Sequence, residues 1–234
     1  MVANSNTVKA AETSFRVIEA LAERDGAGVS DLADDLDLSR SGVHKHLTTL
    51  CELGYVRQDD DTYRASDRFY SLGAGIRDAD PLFDVSHEPL VELASAMNER
   101  VALYARRGDT FACLYSTADR NKPGRPAPDG ARRPVENSFV GSIVRAQEEG
   151  AAVSAPNVEE LQSIRGHQIA FKTREDIRHI AMPILGPDDD PVGVVVVSGT
   201  AGRLKGRRVG EDVPGLMVST VETIESGYAD AVER

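Results

Sequence analysis

The chain has 234 residues, 41% of them hydrophobic, and carries 38 acidic against 27 basic side chains for a net charge of −11. That length suits two small domains rather than one, and the apolar content is enough for packed cores. No apolar run approaches the ~18 residues of a membrane-spanning helix. The first residues lack a basic start followed by an apolar stretch, so neither a membrane partner nor a secretion signal is expected.

Cys51 and Cys113 have no metal-ligand spacing and sit among apolar residues, which predicts buried thiols in a reducing, cytoplasmic setting. Lysine occurs at only five positions (Lys9, Lys45, Lys122, Lys172, Lys205), and the other basic residues are arginine. Acidic side chains cluster at Asp34-Asp35, Asp59-Asp-Asp61 and Asp188-Asp-Asp190. Few lysines and many carboxylates are expected of a protein adapted to molar salt. At that ionic strength the Debye length is about 3 Å, so long-range repulsion from a polyanion is screened.

In chain order, residues 8–25 read as a helix with Phe15, Ile18, Leu21 and Ala22 toward the core, closed by Gly26-Ala-Gly28. Leu32, Ala33 and Leu36 make the apolar stripe of a short second helix, and Leu38 plugs the following turn. Ser39 suits an N-cap, because its hydroxyl can accept a bond from an orphan N–H. Val43, Leu47 and Leu50 then recur at i, i+4, i+7, the core face of a third helix. Its other face carries Ser41, Lys45 and Thr48, with Arg40 and His44 near its start. Gly54-Tyr55 ends that helix. Tyr55-Val-Arg57 and Thr62-Tyr-Arg64 flank a hairpin turn at Gln58-Asp-Asp-Asp61, placing Arg57 and Arg64 on a wing. From residue 39 to 57 three basic residues face one acidic residue, whereas residues 1–65 hold seven against twelve. The expected reading surface is the positive exception in a negative domain.

Helix, tight turn, helix and wing are the layout of a winged helix-turn-helix, which places its second helix in the major groove of DNA. There Arg40 and Lys45 can pair with guanine, and Ser39, Ser41, His44 and Thr48 reach base edges or phosphates. Arg57 and Arg64 reach backbone phosphates. An amphipathic unit of this kind serving only protein contacts is the competing reading.

Asp67 begins a linker helix to about Gly75, with Phe69, Tyr70 and Leu72 as its apolar side. Asp80-Pro81 marks a boundary. The expected domains are therefore 1–66 (winged helix-turn-helix), 67–80 (linker helix) and 81–234. In the last, Val85–Asn98 reads as a helix and Val101–Ala105 and Phe111–Tyr115 as strands. Residues 118–133, with Pro123, Gly124, Pro126, Pro128 and Gly130, read as a long loop. Phe139–Glu148, with Ser138 as N-cap, and Val158–Arg165 read as helices. Ile177–Leu185 and Val192–Ser198 read as strands around an Asp-rich turn, the second so rich in valine that it suits a central position buried on both faces. Val213–Val232 closes the chain as a helix. The expected fold class is α+β, with a GAF-like antiparallel sheet and helices in the second domain.

The stretch from Thr7 to Gly73 resembles the N-terminal domain of the IclR family of transcription regulators. The matching pieces are Phe15-Arg-Val-Ile-Glu-Ala-Leu21, Asp31-Leu-Ala33, Leu38-Ser-Arg-Ser-Gly-Val43, Leu47-Thr-Thr-Leu50, Leu53-Gly-Tyr-Val56, Tyr63-Arg64 and Arg68-Phe-Tyr-Ser-Leu-Gly73. Glu160–Gly166, Ile180–Ile184 and Val192–Gly199 resemble the family's effector-binding domain in order and spacing. The resemblance implies a sequence-specific regulator that pairs subunits through its linker. The result is a homodimer, or a tetramer of such dimers, on a pseudo-palindromic double-stranded DNA operator.

It also implies a small metabolite, often a carboxylate or an aromatic compound, held on the sheet of the second domain. The family's ligand positions fall on Ser138, Gly141, His179 and Ser198. The chain departs from the family pattern at Ser142, where a lysine is usual, and at Lys172-Thr-Arg174 and Glu175, which replace an acidic run. Ser138 as a cap, His179 as a satisfied strand residue and Ser198 as a strand-end hydroxyl therefore stay open, as does a second domain that only pairs subunits or docks a partner. Residues 100–145 carry nine basic side chains (Arg100, Arg106, Arg107, Arg120, Lys122, Arg125, Arg132, Arg133, Arg145) against four acidic ones. That excess suits either an anionic ligand or partner, or a solvated loop. No nucleophile elbow, metal spacing or phosphate-cradling loop is present, so neither catalysis, a cofactor nor a metal site is expected.

Overall fold

The computed structural model describes residues 7–24, 26–117, 130–149, 158–164 and 166–233. The expected loop residues 118–129, with Arg120, Lys122 and Arg125, lie outside them, as do Asp25 and Arg165. The chain divides into two compact units, residues 1–76 and 77–234.

The first unit holds α1 (Lys9–Ala22), α2 (Val29–Leu36), α3 (Arg40–Glu52) and the hairpin β1 (Val56–Asp59) with β2 (Thr62–Ala65). Val17, Leu21, Leu32, Ala33, Val43, Leu47, Leu50, Val56 and Tyr63 form one core. Of the stripes expected on α2 and α3, Leu32, Ala33, Val43, Leu47 and Leu50 are buried and Leu36 is half-buried. On α1 the face differs. Val17 and Leu21 are buried one turn apart, whereas Phe15 is 62% exposed and Ala22 is also exposed. Phe15 lies two residues, about 200°, around the helix from Val17, away from the side that meets α2 and α3.

Helix α4 (Arg68–Asp78) buries none of its side chains. Of its expected apolar side only Phe69 packs, 5.2 Å from the Tyr55 ring. Tyr70, Leu72 and Ile76 are exposed.

The second unit begins with α5 (Pro81–Met97), a turn earlier than the apolar periodicity suggests. Asp80 is the reason. Its carboxylate accepts from the N–H groups of Leu82 and Phe83, and Pro81 occupies the first helical position, where a missing N–H costs nothing. There follow β3 (Arg100–Arg107), β4 (Thr110–Ser116), β5 (Arg132–Pro134), α6 (Phe139–Glu149), β6 (Glu160–Ile164), β7 (His167–Arg174), β8 (Ile177–Leu185), β9 (Pro191–Thr200), a π-helical turn (Arg208–Asp212) and α7 (Val213–Val232).

The strands form one antiparallel sheet in the order β5-β4-β3-β9-β8-β7-β6, with the valine-rich β9 at its centre as expected. One sheet face packs against α5 and α7 through Leu103, Ile180, Met182, Val195, Val197, Met217 and Val221. The other packs against α6 through Tyr104, Phe111, Ala181, Val194, Val196, Ile143 and Val144. Each such fully buried aliphatic side chain contributes about 1.5–3 kcal/mol.

The fold class is the α+β one expected. The segment 158–165 is not the helix expected there. Its i, i+3 pair Leu161 and Ile164 mimics a helical stripe, but residues 160–164 pair with β7, the turn being made at Gly166 with φ 86°. The end of the expected loop 118–133 is not loop: Arg132–Pro134 form β5, paired antiparallel with Thr110–Ala112 of β4, because an edge strand of three residues is too short to show a pattern. Strand β7 carries no expectation from local pattern. Lys172 and Arg174 break the apolar alternation of β7.

Candidate nucleic-acid interface and ligand site

Helix α3 is built to show one face to solvent. Ser39 caps it, its Oγ accepting from the Gly42 N–H at 3.1 Å. Val43 and Leu47 are fully buried. Arg40, Ser41, His44, Lys45 and Thr48 are all exposed on the other side, and the Thr48 hydroxyl donates back to the His44 carbonyl. The five side chains expected to read bases thus share one open helix surface that begins at the cap.

Arg68 fixes the far end of α3. Its guanidinium donates to the Leu53 carbonyl at 2.8 Å and lies 4.6 Å from the centre of the Tyr55 ring. It satisfies a helix-end carbonyl and adds a cation–π contact. Local pattern does not reveal this role, because Arg68 lies fifteen residues beyond its acceptor. On the other side, Ser14 of α1 lies 2.9 Å from His46 Nδ1 on α3. On the wing, Arg57 and Arg64 are direct cross-strand partners.

In the second unit the ladders line up a polar row. Arg100 on β3 is opposite Ser198 on β9, Ser198 opposite His179 on β8, and His179 opposite Lys172 on β7. Residues directly opposite each other point to the same side, here the α6 side. The row behind it is small: Ala102, Val196, Ala181 and Ala170. His179 Nδ1 lies 2.8 Å from Ser198 Oγ, and the Phe139 ring at the start of α6 stands 6.2 Å from the imidazole. Burial first, then the charges of Lys172 and Arg174, push the His179 pKa below its ordinary 6.5 and leave the ring neutral at pH 7. On the same face Tyr104 is pushed up to about 12, mainly by burial.

Two of the four expected ligand residues, His179 and Ser198, are therefore in contact. Ser138 and Gly141 serve the start of α6. The Ser138 hydroxyl accepts from the Gly141 N–H at 3.1 Å and donates to the Pro134 carbonyl. Gly141 is there for space, since a Cβ would stand 1.7 Å from the Val135 oxygen. The sequence offers Arg100 only as one of nine basic residues and Lys172 only as a departure from the family pattern; strand register is what places them in this row. A separate open cleft of about 700 Å³, lined by Gln147, Glu148, His167, Leu185, Asp189 and Glu225 among others, includes none of the four. There the Glu225 carboxylate accepts from Leu185 N–H and pairs with the buried His167.

A winged helix-turn-helix with a polar reading face, followed by an antiparallel α+β unit, is the architecture of IclR-type DNA-binding transcription regulators. Residues 10–60 match the model of the IclR helix-turn-helix domain. The chain is 24% identical to the "Probable HTH-type transcriptional regulator ArcR" of Halobacterium salinarum, over 91% of this chain and 90% of that one. Its fold matches the crystal structure of Thermotoga maritima IclR with a TM-score of 0.72 at 19% identity, covering 94% of this chain and 97% of that one. It also matches an IclR homolog of Microbacterium hydrocarbonoxydans complexed with 4-hydroxybenzoate, with a TM-score of 0.70 at 16% identity over 94% and 98% of the two chains.

Proposed function

We propose that this chain is a cytoplasmic, homo-oligomeric regulator that reads a pseudo-palindromic operator with α3 and its wing. In this reading a small anionic metabolite, seated over the His179–Ser198 pair, controls it. The observation that carries the DNA part is the sidedness of α3, with Val43, Leu47 and Leu50 buried and Arg40, Ser41, His44, Lys45 and Thr48 exposed. Arg40 and Lys45 read base edges, Ser39, Ser41, His44 and Thr48 fix register, and Arg57 and Arg64 hold phosphates.

The polar row supports the ligand part. A carboxylate beside His179 and Ser198 meets the Lys172 charge, and the Phe139 ring offers an aromatic wall. Ser138 and Gly141 contribute by setting the α6 start that carries Phe139. A ligand-bound relative of the same fold favours this over a second domain that only pairs subunits. The surplus of carboxylates and the five lysines support a working environment of molar salt, and the Halobacterium relative points the same way.

Thermal melting with a panel of carboxylates tests the ligand part, because a binder of the folded state raises apparent stability by about 2.7 kcal/mol at a hundred times its Kd. An aromatic or aliphatic acid that raises the melting temperature of the wild type, but not of Ser198→Ala, is expected. A panel without effect on the wild type contradicts it.

A further inference from the structure

Asp59, the last residue of β1, stands between the two wing arginines. Its Oδ2 lies 3.5 Å from Nη1 of Arg57 and 3.4 Å from Nε of Arg64. The register sets Arg57 opposite Arg64 and Asp59 opposite Thr62. These four side chains share the outer face of the hairpin, while Val56 and Tyr63 enter the core. Two like charges directly opposite repel, and a single carboxylate oxygen reaching both offsets that. The contact is open to water: the side chains of Arg57, Arg64 and Asp59 are 61%, 31% and 50% exposed. It is therefore weak and readily exchanged for a stronger anion.

A carboxylate oxygen shared by two guanidinium groups reproduces the way one phosphate oxygen is held. We infer that Asp59 is a built-in stand-in for a single DNA phosphate, keeping Arg57 and Arg64 converged so that both close on the same phosphate when Asp59 turns away. The inference rests on the reading that the wing touches DNA. It makes Asp59 a positioning residue, and it makes the wing a one-phosphate clamp rather than two separate contacts. The free wing is thereby masked, with two arginines against Asp59, Asp60 and Asp61. Weak encounters with DNA that do not align the wing gain little from it.

The test is full-length protein binding a non-specific 24-base-pair duplex by fluorescence anisotropy across a KCl series. Circular dichroism confirms the fold of each variant. Each neutralised phosphate adds about 0.9 to the slope of log K against log salt. Arg57→Ala/Arg64→Ala is expected to lower that slope by about 0.9, one phosphate's worth, whereas two independent contacts lower it by about 1.8. Asp59→Asn is expected to tighten binding about 2- to 5-fold at the lowest salt. Asp60→Asn, which removes the same charge one residue along the turn, gains less. The Asp59→Asn gain disappears in the Arg57→Ala/Arg64→Ala background. Equal gains for Asp59→Asn and Asp60→Asn, or a slope loss near 1.8, overturn the clamp while leaving the wing contact standing. Arginine variants that bind like wild type remove the wing contact itself.

Discussion

His179 and Ser198 stand opposite each other across the β8–β9 ladder with Nδ1 and Oγ 2.8 Å apart, on the sheet face that α6 covers. The imidazole is thereby oriented, and it is also held neutral by burial and by Lys172 and Arg174. In the unfolded chain the same ring takes a proton near 6.5. Between the lower folded value and 6.5 the unfolded state binds more protons, so stability rises with pH across that window. The contribution is complete above about pH 6.5 and is lost as pH falls below it. His179→Gln should flatten this part of the profile. Urea midpoints of wild type and variant from pH 5 to 8 check it, and parallel profiles contradict it.

Lys172 acts on His179 through its charge. Lys172→Ala should raise the imidazole pKa toward 6.5, read from its ring proton shifts by NMR titration. An unchanged value would mean that burial and Arg174 set it without Lys172. The same variant should weaken any carboxylate that binds over the pair, since it removes the cation opposite His179.

Gly141→Ala should cost more than about 3 kcal/mol, at the upper end of overpacking penalties, because the new Cβ collides with the Val135 backbone rather than with a movable side chain. Gly73→Ala is the control. Nothing lies within 4 Å of a Cβ there, so it should leave the unit as stable or add about 0.5–1 kcal/mol. Denaturant unfolding distinguishes the two, and a tolerated Gly141→Ala would mean that α6 starts elsewhere.

Arg40→Ala should weaken binding to the operator by about 1–3 kcal/mol and relax the preference at one or two base positions. Competition with single-base variants of the site reads this directly. Uniform weakening across all sequences would move Arg40 to a phosphate. The cap behind it is separable: Ser39→Ala should cost about 1 kcal/mol of stability.

What was legible in the sequence was local. The cap at Ser39, the stripe Val43-Leu47-Leu50 and the hairpin residues lie within a few positions of one another, so periodicity alone places them. Valines in β9 announced a strand buried on both faces. The start of α5 was misplaced because Asp80 and Pro81 act through backbone groups, not through apolar spacing. Leu161 and Ile164 imitated a helix because a five-residue edge strand is too short to show its alternation. The Arg100–Ser198–His179–Lys172 row joins residues up to 98 positions apart, as the Arg100–Ser198 ladder pair shows. Only strand register assembles it: resemblance points to His179 and Ser198, the basic excess of residues 100–145 includes Arg100 without placing it, and Lys172 stands only as a departure from the family pattern. Phe15 was misassigned for a related reason, since the side of α1 that meets α3 is a tertiary fact.

Selection from a random duplex-DNA library in molar KCl, with sequencing of the bound fraction, tests the central claim most directly. The account predicts a pseudo-palindrome whose half-sites lie about one helical turn apart or a multiple of it, with Arg40→Ala relaxing the preference at one or two positions of each half-site. A bound fraction with no enriched sequence, the same for wild type and Arg40→Ala, would contradict it.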